Sequence, residues 1–127
     1  MIDVFSLSVE EMASKIKDGQ LTSVEVCEKY IERIDEFEKD VKAWAYFDKK
    51  ILLEKADDAD EHRRSGKTVG PLHGIPVALK DIIGTVDMPT ECGTPIRKGK
   101  SYSQNAEVVE LLHAAGAIVM GKTTTSE

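Results

Sequence analysis

One lysine at the end of a short apolar run is the residue of this sequence best placed to do chemistry. Lys80 closes residues 70–80, in which Gly and Pro precede the apolar stretch. Short apolar runs between turn signals are typical of parallel-sheet strands, which are covered on both faces. The sequence therefore predicts a strand that brings one cation to the carboxyl end of a sheet, where open α/β sheets bind their ligands.

Alternation along this strand places Lys80 beside a small neighbour, Ala78, on the face that also carries Pro76. The opposite face is then apolar and consists of Ile75, Val77 and Leu79. Partial burial beside Ala78 would disfavour the ammonium form, and a buried lysine becomes usable as a base near neutral pH. The alternative is that Lys80 merely ends the strand and lies in water.

The residues around Lys80 form a longer motif, Gly70-Pro71-Leu72-His73-Gly74-Ile75-Pro76 followed by Lys80-Asp81. This motif resembles the first conserved block of the amidase signature family, Gly-Pro-Leu-x-Gly-Ile-Pro-hydrophobic-x-hydrophobic-Lys-Asp. Residues 114–123 are similar to the family's passage from a helix into the next strand. The resemblance implies that Lys80 is the terminal base of a serine, cis-serine, lysine triad that cleaves a carboxylic amide to acid and ammonia or amine.

The resemblance also implies the fold and the extent of the domain. We expect an α/β protein, the N-terminal part of an amidase-signature α/β/α fold with a mixed, partly parallel sheet covered by helices. Residues 1–127 are expected to be a single partial domain. Within it, residues 1–67 would supply N-terminal helices and a short strand, and residues 70–127 a strand-loop-helix-strand unit with the lysine. Both serines and the Gly/Ser-rich signature would follow position 127, so we expect the 127-residue chain alone to be inactive.

Three functions remain open within this resemblance. The family's transfer-RNA-dependent amidotransferase subunit tends to carry Asp-Asn-Ile after its lysine and Asn-Met-Asp-Glu after the second Gly-Lys-Thr. This chain has Asp81-Ile82-Ile83 and Thr124-Thr125-Ser126-Glu127 instead, which favours a stand-alone amidase acting on a small amide. The amidotransferase subunit is the first alternative, and a non-catalytic fragment or interaction module is the second.

Composition limits the partners. The formal net charge is −6, without a basic stripe, so we expect no nucleic-acid partner unless the chain is a transamidase. No apolar run approaches the roughly 20 residues that cross a bilayer, and no leader pattern opens the chain, so we expect a cytoplasmic protein without membrane contact.

Two cysteines, Cys27 and Cys92, are expected to be reduced. Three histidines without ligand spacing predict no metal site, and no cofactor motif is present; they are His62, His73 and His113.

Helix signals are clear in the first half of the chain. Capping boxes at Ser8 and Thr22 predict two helices, the first stopped by Gly19 and the second reaching about Glu38. The second helix carries an apolar stripe formed by Val24, Cys27, Ile31, Ile34 and Phe37. Residues 43–47 predict a short aromatic strand, and Asp48 is expected to cap a third helix whose charged residues 57–64 form a solvated face.

The second half alternates loop, helix and strand. Residues 82–103 show no sustained period and predict a long loop, a kind that is usually functional in compact folds. Because it leaves the sheet at the end that carries Lys80, it is expected to wall the substrate pocket, with Met88, Thr90 and Cys92 as substrate-binding candidates. An ordinary surface loop is the alternative. Asn105 is expected to cap a helix closed by Gly116, followed by a strand at residues 118–120.

Two or three strands leave a sheet edge open. An open apolar edge pairs readily with another chain. We therefore expect the partners to be the remainder of an amidase domain or a second copy bound through this edge, besides the small amide substrate.

Overall fold

Four α-helices lie against a three-stranded sheet in residues 2–127, the part of the chain that the computed structural model describes. The helices are α1 Val9–Lys17, α2 Ser23–Val41, α3 Lys49–Arg64 and α4 Glu107–Ala114. The strands are β1 Trp44–Tyr46, β2 Pro76–Lys80 and β3 Ile118–Thr123. Two 3-10 turns, Val4–Ser6 and Pro95–Arg97, complete the regular structure of these residues.

The sheet is mixed, with the strand order β1-β3-β2. β3 lies in the centre, where it runs parallel to β2 and antiparallel to β1. The prediction of an α/β fold with a mixed, partly parallel sheet is therefore confirmed. β3 also extends three residues beyond the predicted strand, to Thr123.

Capping boxes begin the first two helices, as predicted. At α1, the Glu11 amide donates to Ser8 Oγ at 3.1 Å while the Glu11 carboxylate accepts from the Ser8 amide at 2.8 Å. Thr22 and Glu25 repeat this arrangement at α2. Asp48 caps α3 by accepting from the amides of Lys50 and Ile51. α2 runs three residues past the predicted end at Glu38 and stops where Lys42 turns left-handed, with φ 54°.

Asp60 contradicts the prediction that residues 57–64 form a solvated face. Its side chain is buried, and its carboxylate accepts from the Ser23 amide at 2.7 Å and the Val24 amide at 3.0 Å. These two amides belong to the first turn of α2, which leaves its backbone donors without helical partners. A carboxylate of α3 therefore satisfies the start of α2 across the helix pair.

Asn105 does not cap the fourth helix. α4 begins at Glu107, and Ala106 occupies the N-cap position without a side-chain hydrogen bond. Asn105 instead accepts from the Val86 amide at 2.8 Å and donates to the Glu110 carboxylate at 2.9 Å. The prediction that Asn105 caps α4 is thus wrong. The Asn105 side-chain amide instead joins the start of the helix to the long loop.

Three apolar clusters fill the interior and give the fold its layers. The first joins α1, α2 and the start of β2 through residues such as Ile16, Val26 and Ile75. The second places α2 and α3 on one face of β3, against Ile118 and Met120. The third lies on the opposite face, where α4 and the long loop cover β2 and β3; its buried members are Leu79, Met88, Val109 and Val119. The central strand β3 is thus covered on both faces.

The predicted stripe of α2 is largely buried. Cys27 and Ile31 lie in the core, and Val24 and Ile34 pack half-buried against it. Phe37 is exposed, under the guanidinium of Arg33. No helix within residues 2–127 is long and apolar enough to cross a membrane.

Candidate active site

Lys80 is the last residue of β2, as predicted, and it lies at the carboxyl end of the strand. It is exposed together with Ala78, whereas Ile75 and Leu79 of the opposite face are buried. The predicted alternation of faces is therefore confirmed. The expected partial burial of Lys80 is not found in residues 2–127, where its side chain is exposed.

Asp81 ties the long loop to the end of β2. It is 3% exposed, and its carboxylate accepts from the Glu91 amide at 3.2 and 3.3 Å. Its backbone oxygen accepts from the Cys92 amide at 3.0 Å, and its own amide donates to the Thr123 oxygen at 2.9 Å. The residue that follows Lys80 is thus joined both to β3 and to residues 91–92 of the loop.

The three substrate-binding candidates of the loop have different surroundings. Met88 packs in the third apolar cluster at 3% exposure. Thr90 is fully buried, and its hydroxyl accepts a hydrogen bond from Lys122. Cys92 is partly exposed in the left-handed conformation, with φ 55°. Their role toward substrate stays a prediction, and of the three Cys92 alone among the described residues offers an accessible side chain.

A depression of about 450 Å³ lies next to this part of the loop. The loop contributes five residues between positions 91 and 98, the segment after β3 contributes Thr124 and Thr125, and Asp81 forms part of its wall. The full lining is Ala45, Asp81, Glu91, Gly93, Thr94, Pro95, Lys98, Thr124 and Thr125. Its hydroxyl groups and the Lys98 ammonium make it suited to polar ligands, and it lies at the end of the sheet where β2 and β3 finish.

Lys122 is a buried cation that the sequence analysis did not single out. Its side chain is 0% exposed, and Nζ donates to Thr90 Oγ1 at 2.7 Å and to the Pro89 oxygen at 3.1 Å. Burial lowers the pKa of Lys122 below its ordinary value, against the opposing charges of Asp81, Asp87 and Cys92. The signal was present, because Lys122 follows an apolar run just as Lys80 does.

The histidines do not assemble into a metal centre. Within residues 2–127 no group of three or more His, Cys, Asp and Glu side chains could hold a metal ion. The rings of His62 and His73 lie 5.3 Å apart, and each Nε2 meets a backbone oxygen, of Thr68 and Ala59 respectively. Cys27 is buried and Cys92 is partly exposed, and neither forms a disulfide within residues 2–127.

Comparison with known proteins identifies the group to which this arrangement belongs. A family model described as Amidase matches residues 25–127, a region that includes Lys80 and Lys122. The chain belongs to the amidase signature family. Curated relatives in the family include a glutamyl-tRNA(Gln) amidotransferase subunit of Streptomyces coelicolor, 39% identical over 127 residues, which are all of this chain and 26% of the relative. The corresponding amidotransferase subunit of Rhodopirellula baltica is 37% identical over 120 residues, 94% of this chain and 24% of the relative.

Solved structures of the family show the same fold. The peptide amidase of Stenotrophomonas maltophilia matches with a TM-score of 0.83 at 33% identity, over 91% of this chain and 24% of that one. Fatty acid amide hydrolase matches with a TM-score of 0.86 at 30% identity, over 94% of this chain and 21% of that one. The chain thus spans about a quarter of the length of the curated relatives that it matches.

Proposed function

We propose that residues 1–127 supply the catalytic base of an amidase-signature enzyme, and that Lys80 is this base. The observation that carries the proposal is the position of Lys80 within its motif, at the carboxyl end of β2 and beside a loop fixed by Asp81. A neutral lysine amine can accept a proton. The guanidinium of an arginine stays protonated near neutral pH and cannot. Lys80 is exposed in residues 2–127, so this end of the strand is accessible to a serine partner.

In the proposed reaction, Lys80 takes a proton from the middle serine, which takes the proton of the nucleophilic serine. The nucleophile then adds to the amide carbonyl, the carbon–nitrogen bond breaks, and the nitrogen leaves with a proton as ammonia or amine. Water hydrolyses the acyl-serine to the acid and restores the triad. Lys80 is the member of this triad that we assign to the present residues.

The experiment is a chimera in which residues 1–127 replace the matching quarter of the Stenotrophomonas maltophilia peptide amidase, assayed by release of ammonia from a peptide amide. Lys80→Ala should lower kcat by about 10²–10⁴-fold, the usual contribution of a general base. Lys80→Arg should not restore it. Lys67→Ala, which changes an exposed loop lysine, is the matched control and should leave kcat unchanged. Near-normal turnover of Lys80→Arg would contradict the assignment, since it would mean that the residue supplies charge alone.

A second function is transfer of an amide nitrogen to glutamyl-tRNA(Gln), and the curated relatives favour it. The Streptomyces coelicolor and Rhodopirellula baltica proteins are both named as subunits of a glutamyl-tRNA(Gln) amidotransferase. Residues 81–83 and 124–127 favour the stand-alone amidase instead. The two proposals differ in the nitrogen acceptor. A chimera with the Streptomyces coelicolor protein that forms amidated tRNA would support transfer, while ammonia released without tRNA would support hydrolysis.

The proposed partners follow from the same sheet. β2 is an edge strand, and Ala78 and Lys80 are exposed on one of its faces. This edge is suited to a further strand, from the rest of an amidase domain or from a second copy of the chain. We also propose a cytoplasmic location, because no apolar run of the sequence approaches the roughly 20 residues that cross a bilayer.

A further inference from the structure

We propose that Lys122 is a positioning residue that fixes residues 89–92 of the long loop beside the end of β2; its relevance to catalysis rests on the proposed function of Lys80. Lys122 is the largest of the side chains that are fully buried in the described chain. Removing an ammonium from water is unfavourable unless hydrogen bonds compensate for the lost hydration. Both of its acceptors, Pro89 O and Thr90 Oγ1, belong to one loop segment.

A β-bulge directs Lys122 toward that segment. Val77 pairs with Val119, but the next residue, Ala78, pairs with Gly121, so Met120 is the extra residue of β3. Strict alternation would place Lys122 on the face of Ile118 and Met120, against α2 and α3. After the bulge it pairs with Leu79 and lies on the loop side of the sheet.

Gly121 lets β1 pack closely against the bulged part of β3. A Cβ at this position would lie 2.6 Å from the Tyr46 oxygen and 2.9 Å from the Trp44 ring. Both neighbours belong to β1, which packs closely against the bulged part of β3. In the sequence Met120-Gly121-Lys122, Met120 is therefore the extra residue of the bulge and Gly121 leaves room for β1. Lys122 then lies on the loop side of the sheet instead of the helix side.

The segment that Lys122 holds is also held from the side of Lys80. Asp81 accepts from the amides of Glu91 and Cys92, and Asp81 directly follows Lys80. Residues 89–92 are thus anchored between two strands, by Lys122 of β3 and by Asp81 at the end of β2. Loss of the Lys122 anchor would leave this segment, and through it the Asp81 contacts, free to move relative to Lys80.

The simplest alternative is that Lys122 only fills space, in which case methionine should replace it. Lys122→Met keeps a long unbranched side chain but removes every donor. The test is amide hydrogen exchange on the 127-residue chain, followed residue by residue with NMR. We expect Lys122→Met to speed exchange of the Glu91 and Cys92 amides by about tenfold or more, the range for a lost charged hydrogen bond. The Ile118 amide, which donates to Ile75 O, should change little.

Two further variants separate positioning from packing. Thr90→Val removes the acceptor hydroxyl at nearly constant shape and should produce the same local loss of protection. Lys80→Met, which alters the exposed lysine of the paired strand, is the matched control and should leave Glu91 and Cys92 protected. Protection of both amides in folded Lys122→Met would overturn the proposal. Should Lys122→Met fail to fold, Thr90→Val decides: unchanged protection there overturns it equally.

A spectroscopic signature completes the test. The ammonium of Lys122 is followed by its 13Cε shift against pH, and its titration midpoint should lie below the ordinary pKa of a lysine. Thr90→Val should lower this midpoint further, because the lost hydrogen bond stabilises the charged form. An unchanged midpoint in Thr90→Val would contradict the contact. None of these measurements uses turnover, so failure of the proposed Lys80 chemistry would leave their outcome intact.

Discussion

Lys80 and Lys122 lie one register step apart on neighbouring strands but on opposite faces of the sheet. Leu79 pairs with Lys122, and Lys80 pairs with Thr123. One lysine is exposed and the other is fully buried. The desolvated environment that the sequence led us to expect for Lys80 therefore belongs, within residues 2–127, to Lys122. This division separates a candidate for proton transfer from a candidate for holding the loop.

The 127-residue chain alone should not hydrolyse amides at an enzymatic rate. Residues 1–127 contribute a base in our proposal, while the nucleophile and the oxyanion donors are assigned to the remainder of the family's domain, and a base alone has no partner to activate. Ammonia release from a simple aryl or aliphatic amide is the measurement. Saturable turnover that disappears in Lys80→Ala would show that a complete site is present.

Asp60→Ala should destabilise the fold by about 2–3 kcal/mol, because the buried Ser23 amide and the partly buried Val24 amide of α2 lose a charged acceptor. Urea unfolding followed by circular dichroism measures the difference. Asp58→Ala is the matched control, since Asp58 lies on the same helix and is exposed; it should change stability by no more than about 0.5 kcal/mol. Equal losses of unfolding free energy in both variants would mean that the hydrogen bonds of Asp60 do not stabilise the fold.

Stability should fall above about pH 9 through Cys27. Burial raises the pKa of the Cys27 thiol to about 12, from an ordinary 9.0. The unfolded chain therefore releases this proton first, so the stabilisation is complete below pH 9 and declines toward pH 12. The slope from Cys27 is at most about 1.4 kcal/mol per pH unit.

Comparing the slopes of the wild-type chain and Cys27→Ala by urea unfolding between about pH 9 and 10 isolates this effect, because every other titrating group is common to both proteins. Cys27→Ala should flatten the curve even though it lowers stability overall. Cys92→Ala keeps Cys27 and should retain the wild-type slope. Parallel curves for all three proteins would argue against a shifted thiol.

The sequence correctly predicted what local interactions determine. Ser8 and Thr22 begin their helices because each capping box is complete within four residues. The predictions for Asp60 and Asn105 are wrong because the backbone amides from which these side chains accept lie 19 or more residues away. The burial of Lys122 depends on a bulge defined by pairing with β2, which no window around residue 122 contains. The surroundings of Lys122 therefore depend on long-range strand pairing more than on local propensity.

The chain should self-associate through the outer edge of β2 as its concentration rises. β2 is an edge strand, and exposed edges pair with other strands. Size-exclusion chromatography with light scattering measures the mass over a range of concentrations. Ala78→Lys adds a second charge next to Lys80 and should weaken association, whereas Ala45→Lys, on the opposite edge strand β1, should not. A monomer at every concentration would refute the prediction.

The strand order has a consequence for how this part of the protein is made. β1 and β2 both pair with β3, yet β3 occupies residues 118–123 and is the last of the three to leave the ribosome. The two edge strands therefore lack their common neighbour until more than 110 residues have been synthesised. Helices α1, α2 and α3 can form earlier from local contacts, because helical hydrogen bonds do not depend on a distant strand. The sheet then forms in one late step, when its central strand inserts between two strands that are already present.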